Sequence, residues 1–206
     1  MVRILEISSV RSMGCLHMED GSTFWLKQTE IEEAGFRPGQ SLDDKVFIRQ
    51  IRLFQYPRAL NHAVSMLSRR PCSKGEIQGR LRARKYTEDV IELVLYKLEK
   101  ENLLNDEEFC RLWIQYGTER NKGPYAIRRE LMMKQIPSDM IDQAMSEIAE
   151  EDTISRANEL AQKLWEKSHN DSDLRRHRQH VIQALVRKGY NWNTAVKACE
   201  SAEKEK

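Results

Sequence analysis

Histidine, cysteine and carboxylate side chains are the groups with which this 206-residue chain could hold a metal or attack a substrate, and their spacing argues against both. Cys15, Cys72, Cys110 and Cys199 are never closer than 38 positions, so no C-x-x-C pair exists to bind zinc or to cycle between thiol and disulfide. They read as reduced, ordinary, partly buried residues. Of His17, His62, His169, His177 and His180, only the last two are close neighbours. They stand among Arg175, Arg176 and Arg178, whose guanidinium charges oppose a divalent cation. The phosphate-cradling and nucleophile patterns G-x-x-x-x-G-K-[ST], G-x-G-x-x-G and G-x-S-x-G are absent. Gly75 and Gly79 bracket a helical pattern with no strand before it, and Gly123-Pro124 falls between helices. The carboxylates sit on predicted exposed helix faces, where solvation is the default. The sequence predicts no catalytic site, no cofactor and no metal.

What remains is charge, and it comes in blocks. Lys+Arg number 34 against 32 Asp+Glu, a net of +2 that hides the pattern. Arg69–Lys85 holds seven cations and one anion, Tyr86–Cys110 two and eight, and Arg111–Gln135 six and two. Pro137–Asp152 holds none and six, and Arg175–Lys188 five and none. Such segregation either places cations along one ridge and carboxylates along another, or lets neighbouring helices neutralise each other on a solvated surface.

The elements that carry these blocks divide at about residue 55. Arg3–Ser9, Cys15–Glu19 and Ser22–Lys27 read as strands, with Asp20-Gly21 predicting a type I′ hairpin turn. Thr29 is placed to cap a short helix rich in Glu30, Glu32 and Glu33, and Gly35 to end it. Residues 1–55 are thus a small β-rich unit of three or four strands with no chemistry of its own. Pro57 stands where a proline opens a helix, and from there apolar residues recur at three- and four-residue spacing. Leu60, Val64 and Leu67 form one stripe, and Phe109, Leu112, Trp113 and Tyr116 another, both read as core. No apolar run approaches the ~18 residues of a membrane helix, and no signal-peptide pattern opens the chain, which points to the cytosol.

The helical region repeats itself. With Leu81, Leu131 and Leu185 aligned, Ile77, Ile127 and Val181 stand four residues earlier. Arg84, Lys134 and Lys188 stand three later, and Tyr86, Ile136 and Tyr190 five later. After a polar turn come Ile91, Ile141 and Ala195, then Val94, Ala144 and Ala198. Self-similarity at this period means stacked helical units. The expected fold is mainly α: three tandem three-helix repeats at about 57–103, 104–152 and 153–206, forming an elongated curved body. The third is the most degenerate, with His169–Asp173 inserted before its second helix.

Three stretches carry a family resemblance. Ser68-Arg69-Arg70-x-x-Ser73-x-x-Glu76-Ile77-x3-Leu81, then Leu103-Leu104-Asn105-Asp106-Glu107-x-Phe109, then Lys122-Gly123-Pro124-x-x-Ile127-x-x-Glu130-Leu131 resemble the signatures of the regulatory protein RecX family, over roughly residues 58–200. The glycine of the third stretch is read as closing the preceding helix and the proline as opening the next. Arg84-Lys85-Tyr86 departs from the family's usual Lys-Gly-Phe at the end of the first basic helix, whereas Lys188-Gly189-Tyr190 keeps the glycine. The resemblance implies a non-catalytic modulator that binds the groove of the filament formed by the RecA recombinase on single-stranded DNA, and a monomer is expected. It would restrain ATPase, strand exchange and filament growth. Arg80, Arg84, Lys122, Arg128, Arg129, Lys134, Arg187 and Lys188, on or beside the second helix of each repeat, are the expected basic contacts. A stand-alone nucleic-acid-binding protein using the same cations without RecA is the other reading.

Overall fold

The computed structural model describes residues 1–167 and 174–204. The proposed insertion at His169–Asp173 lies outside the described residues. The chain forms two compact units, Met1–Asn105 and Asp106–Lys206.

In the first unit, strands β1 (Val2–Val10), β2 (Met13–Met18), β3 (Thr23–Lys27) and β4 (Ser41–Leu42) make one antiparallel sheet in the order β3-β2-β1-β4. Ile4, Leu16 and Leu26 are fully buried on it, under Ile31 of α1 (Gln28–Ala34) and under Phe47 and Ile51 of α2 (Asp44–Leu67). Two local expectations are corrected. Asp20-Gly21 does turn the chain, but through a three-residue loop rather than a type I′ turn. The Gly21 N–H donates to the Met18 carbonyl and the Met18 N–H to that of Ser22, and Gly21 alone takes a positive φ of 81°. Asp20 is thereby spared the left-handed conformation and its carboxylate accepts from the Ser22 N–H and hydroxyl. Lys27, not Thr29, is the N-cap of α1, and Glu30 reaches back to its N–H at 2.8 Å. Gly35 ends the helix at φ 68° as the sequence predicts.

The helix expected to open at Pro57 begins thirteen residues earlier, capped by Asp43 on the Lys45 and Val46 N–H groups, and Pro57 lies inside it. The interior proline survives because α2 is held from both sides. Its first half covers the sheet, and its second half sends Ala59 and Ala63 into the core of the first repeat. Gln55, fully buried, fastens the two halves: its amide donates to the Trp25 carbonyl (3.0 Å) and its carbonyl accepts from the Thr87 N–H (2.9 Å) and hydroxyl (3.2 Å). Arg58 adds a largely buried ion pair to Glu30 at 2.9 Å. The stripe expected from Leu60, Val64 and Leu67 is shifted, since Ala59 and Ala63 are buried and Val64 is exposed.

Three trios of helices follow: α2, α3 (Lys74–Ala83) and α4 (Glu88–Lys100); α5 (Asp106–Glu119), α6 (Pro124–Met133) and α7 (Ser138–Ser146); α8 (Glu150–Lys167), α9 (Leu174–Arg187) and α10 (Trp192–Lys204). The aligned leucines Leu81, Leu131 and Leu185 are inaccessible to solvent, as are Ile77 and Val181, with Ile127 nearly so. The second helix of each trio stops in the same way. Lys85, Gln135 and Gly189 adopt φ of 64°, 60° and 96°. The next residue, Tyr86, Ile136 or Tyr190, is buried and donates its N–H to the carbonyl of the aligned leucine. This is the Schellman motif, with its hydrophobic contact back to the helix. The missing glycine at Lys85 therefore leaves the geometry intact.

Within the second unit two helix ends meet. The Gly123 N–H donates to the Lys188 carbonyl (2.8 Å) and the Tyr125 N–H to the Gly189 carbonyl (3.0 Å), so the end of α9 caps the start of α6. Orphan donors meet orphan acceptors, and the negative end of one dipole faces the positive end of the other. The approach requires glycine on both sides. A Cβ on Gly123 would lie 2.3 Å from the Gly189 carbonyl carbon, and one on Gly189 would lie 2.4 Å from Ala126. Gly123 itself has an ordinary φ of −77°, and α5 is closed by Asn121 at φ 55°. Its role is close backbone approach, not helix closure.

Two outcomes test this packing. Gly123→Ala should cost about 1–3 kcal/mol, because the clash is with backbone that cannot rotate away; chemical denaturation with an unchanged midpoint would contradict it. Gln55→Leu should cost roughly 2–3 kcal/mol, since it leaves the Trp25 carbonyl and Thr87 N–H buried without partners.

Candidate functional site

The cations expected to make contacts do not share one environment, and the structure sorts them by what already holds each. In the first unit Arg80 and Arg84 are both exposed, with no carboxylate partner among the described residues. Arg84 ends α3, where a positive charge is favoured by the helix dipole, and donates to Nε2 of His62 (3.3 Å), whose Nδ1 lies 2.7 Å from the Tyr86 hydroxyl. Burial, then the charges of Arg84 and Arg58, hold this imidazole below its usual range, so it is a neutral acceptor for Arg84. The neighbouring Arg82 pairs with Glu88 at the start of α4 (2.5 Å), and Lys74 with Glu99 of the same helix (2.5 Å).

In the second unit Lys122 is half-buried. Its ammonium donates to both carboxylate oxygens of Glu130 (2.6 and 2.7 Å), which also accepts from the Trp113 indole (3.1 Å). Lys134 lies over the Trp113 ring, 4.2 Å from its centroid. Arg128 pairs with Asp142 of α7, and the guanidinium holds that carboxyl below its usual range. Arg129, Arg187 and Lys188 are exposed, with no carboxylate partner among the described residues. Because the Lys188 and Gly189 carbonyls seat the first turn of α6, Lys188 and Arg187 stand next to the stretch Lys122–Tyr125.

Arg82–Glu88, Arg128–Asp142 and Arg178 with Glu200 and Glu203 join the second helix of each trio to its third. Part of the charge segregation is thus consumed inside each trio. Arg80, Arg84, Arg129, Arg187 and Lys188 are the remainder, able to meet phosphates or a partner's carboxylates.

Sequence reasoning missed one group. Leu112 and Tyr116, assigned to the core, are exposed, and Arg120 lies over the Tyr116 ring at 4.3 Å. The i, i+4 spacing of the pair was the available signal. Tyr125, Met132 and Met133 of α6 and Trp192 of α10 are also exposed.

The residues weighed for chemistry are otherwise occupied. All four cysteines are buried, and burial pushes the Cys110 thiol up to about 11. His177 packs edge-on against Trp165 in the core, with ring centroids 4.2 Å apart. Among the described residues no group of three or more His, Cys, Asp or Glu is placed to hold a metal ion. No described helix is long and apolar enough to cross a membrane.

Comparison with known proteins agrees with this arrangement. Models of the first, second and third three-helix domains of RecX match residues 59–98, 105–145 and 150–199. Regulatory protein RecX of Listeria innocua is 32% identical over 149 residues, 72% of this chain and 55% of that protein, so the chain spans about half its length. The Corynebacterium efficiens protein of the same description is 31% identical over 79% of this chain and 80% of its own. A crystal structure of regulatory protein RecX superposes with a TM-score of 0.63 at 23% identity, over 96% of this chain and 99% of that one. RecX from Lactobacillus salivarius gives 0.65 at 22% identity over 72% and 97%. With the three-helix domains matched in order and relatives above 30% identity over most of its length, this chain belongs to the regulatory protein RecX family.

Proposed function

We propose that this protein regulates the RecA recombinase without catalysis, seating in the groove of the RecA–single-stranded DNA filament and restraining ATP hydrolysis, strand exchange and filament growth during DNA repair and recombination. Membership of the RecX family across all three helical trios carries the reading. The exposed cations support it, since they recur on or just after second helices and make no carboxylate pair among the described residues. Paired acidic helices beside them suit a partner that presents both phosphates and protein charges. The protein would act as a monomer in the cytosol, which suits four buried thiols. Its helical region, residues 56–206, would make the contacts, with residues 1–55 accessory. Because α2 crosses that boundary, the proposal is tested on the full chain.

One observation favours a second reading. The Arg120–Tyr116 pair and the exposed Tyr125 are the kind of stacking surface on which unpaired bases rest, and would let the protein bind single strands by itself. Binding to naked DNA that falls steeply with salt, with no preference for a RecA-coated strand, would support that reading over the first.

The variant Arg129→Glu with Arg187→Glu should weaken binding to preformed RecA–single-stranded DNA filaments by at least about tenfold and relieve inhibition of DNA-dependent ATP hydrolysis. Its melting temperature should fall by no more than a few degrees, the size of a lost helix-end charge. Unchanged affinity in the folded variant would show that these cations do not make the contact.

A further inference from the structure

The first unit has a second apolar surface that its core does not use. Helices α2 and α4 turn Phe47, Ile51, Ala59, Val90, Val94 and Leu98 inward. Their outer faces carry further apolar residues at helical spacing, Val46 and Leu53 on one helix and Leu93 and Tyr96 on the other, while half-buried Tyr56 lines the groove and also packs against the core. Between these faces runs a groove of about 800 Å³. Leu53 is 68% exposed and Tyr96 64%, values that an amphipathic helix reserves for its wet face. Contiguous exposed apolar surface with a polar edge marks an interaction site.

The edge is strongly signed. Arg49, Arg52, Lys97 and Lys100 line it against one carboxylate, Glu101. Arg52 is paired with Asp89 and Lys97 with Glu101, whereas Arg49 and Lys100 have no carboxylate partner among the described residues. In the wall, Gln50 keeps a buried Oε1 with no hydrogen-bond partner. Two stripes of apolar anchors beside a cationic rim fit one kind of occupant. We propose that the α2–α4 groove binds an acidic amphipathic helix of a protein partner, with leucine-like anchors on Leu53, Leu93 and Tyr96 and carboxylates on Arg49 and Lys100. A second copy of the same groove would bring cation against cation and is disfavoured. Single-stranded nucleic acid is disfavoured because Val46, Leu53 and Leu93 offer aliphatic contacts and leave Tyr96 as the one exposed ring of the lining on which a base could stack. The inference stands apart from the proposed RecA function, since it requires only an acidic helical partner.

The test uses the full chain and a fluorescein-labelled peptide of about four helical turns, with leucines at i, i+3, i+4 and i+7 and glutamates on both flanks. Anisotropy should show saturable binding. Leu53→Ser with Tyr96→Ser should weaken it by at least about tenfold, as should Arg49→Glu with Lys100→Glu. All four residues are exposed, so circular dichroism and melting should match the parent. The proposal is overturned if the acidic peptide binds no better than its lysine-flanked counterpart, or if neither double variant weakens it. It is likewise overturned if the substitutions abolish binding of an oligothymidylate or a concentration-dependent self-association instead.

Discussion

The contact of two helix ends at Gly123 and Gly189 sets the arrangement of the second unit. A helix start offers N–H groups and a partial positive charge, and a helix stop offers carbonyls and a partial negative one, so each solves the other's problem when the two are brought together. Here the end of α9 is laid on the start of α6, close enough that neither glycine tolerates a methyl group. One trio of helices is thereby registered against the next without a large hydrophobic interface. The same contact brings the exposed Arg187 and Lys188 beside α6, which carries Arg129. It also fills the helix N-terminus that Gly123-Pro124 would otherwise present to an anion.

The first unit solves the corresponding problem with side chains. The start of α3 is closed by a capping box, Ser73 on the Glu76 N–H and Glu76 on that of Ser73, with Arg70 on the outside of the glutamate. Its relation to the sheet depends on Gln55, whose single amide spans from Trp25 to Thr87. Charge is then distributed by what the local structure needs. The cation three residues after each aligned leucine sits at or just past the stop of a second helix, a position that favours positive charge whatever the protein does. Recurrence of Arg84, Lys134 and Lys188 therefore has a local cause, and their value for binding differs. Lys134 is spent on an aromatic face while the other two remain exposed, with no carboxylate partner among the described residues.

Much of this was legible in the sequence because it depends on local pattern. The aligned leucines and the buried residue five positions later are set by helical period, and all three trios follow them. The sheet was legible from strand-compatible residues flanking Asp20-Gly21. What could not be read depends on contacts between distant residues. Pro57 signals a helix start only when nothing upstream is helical, and the burial of Phe47 and Ile51 on the sheet makes the upstream segment so. Gly123 was assigned to helix closure because that is the commonest local use of glycine; its actual neighbour is sixty-six positions away. Likewise the engagement of Lys122 with Glu130, and of Arg128 with Asp142, is invisible to a count of charges, which is why the candidate surface is smaller than the sequence suggests.

The α6–α9 junction is a fixed part of the native structure. Amide hydrogen exchange on the full chain, followed by NMR, measures it at the two donors. The Gly123 and Tyr125 N–H groups should exchange as slowly as the core amides of α6, opening only with the whole unit, despite lying at a helix start where amides ordinarily exchange fast. Exchange of both at the rate of an unprotected helix terminus, with the α6 core still protected, would contradict it.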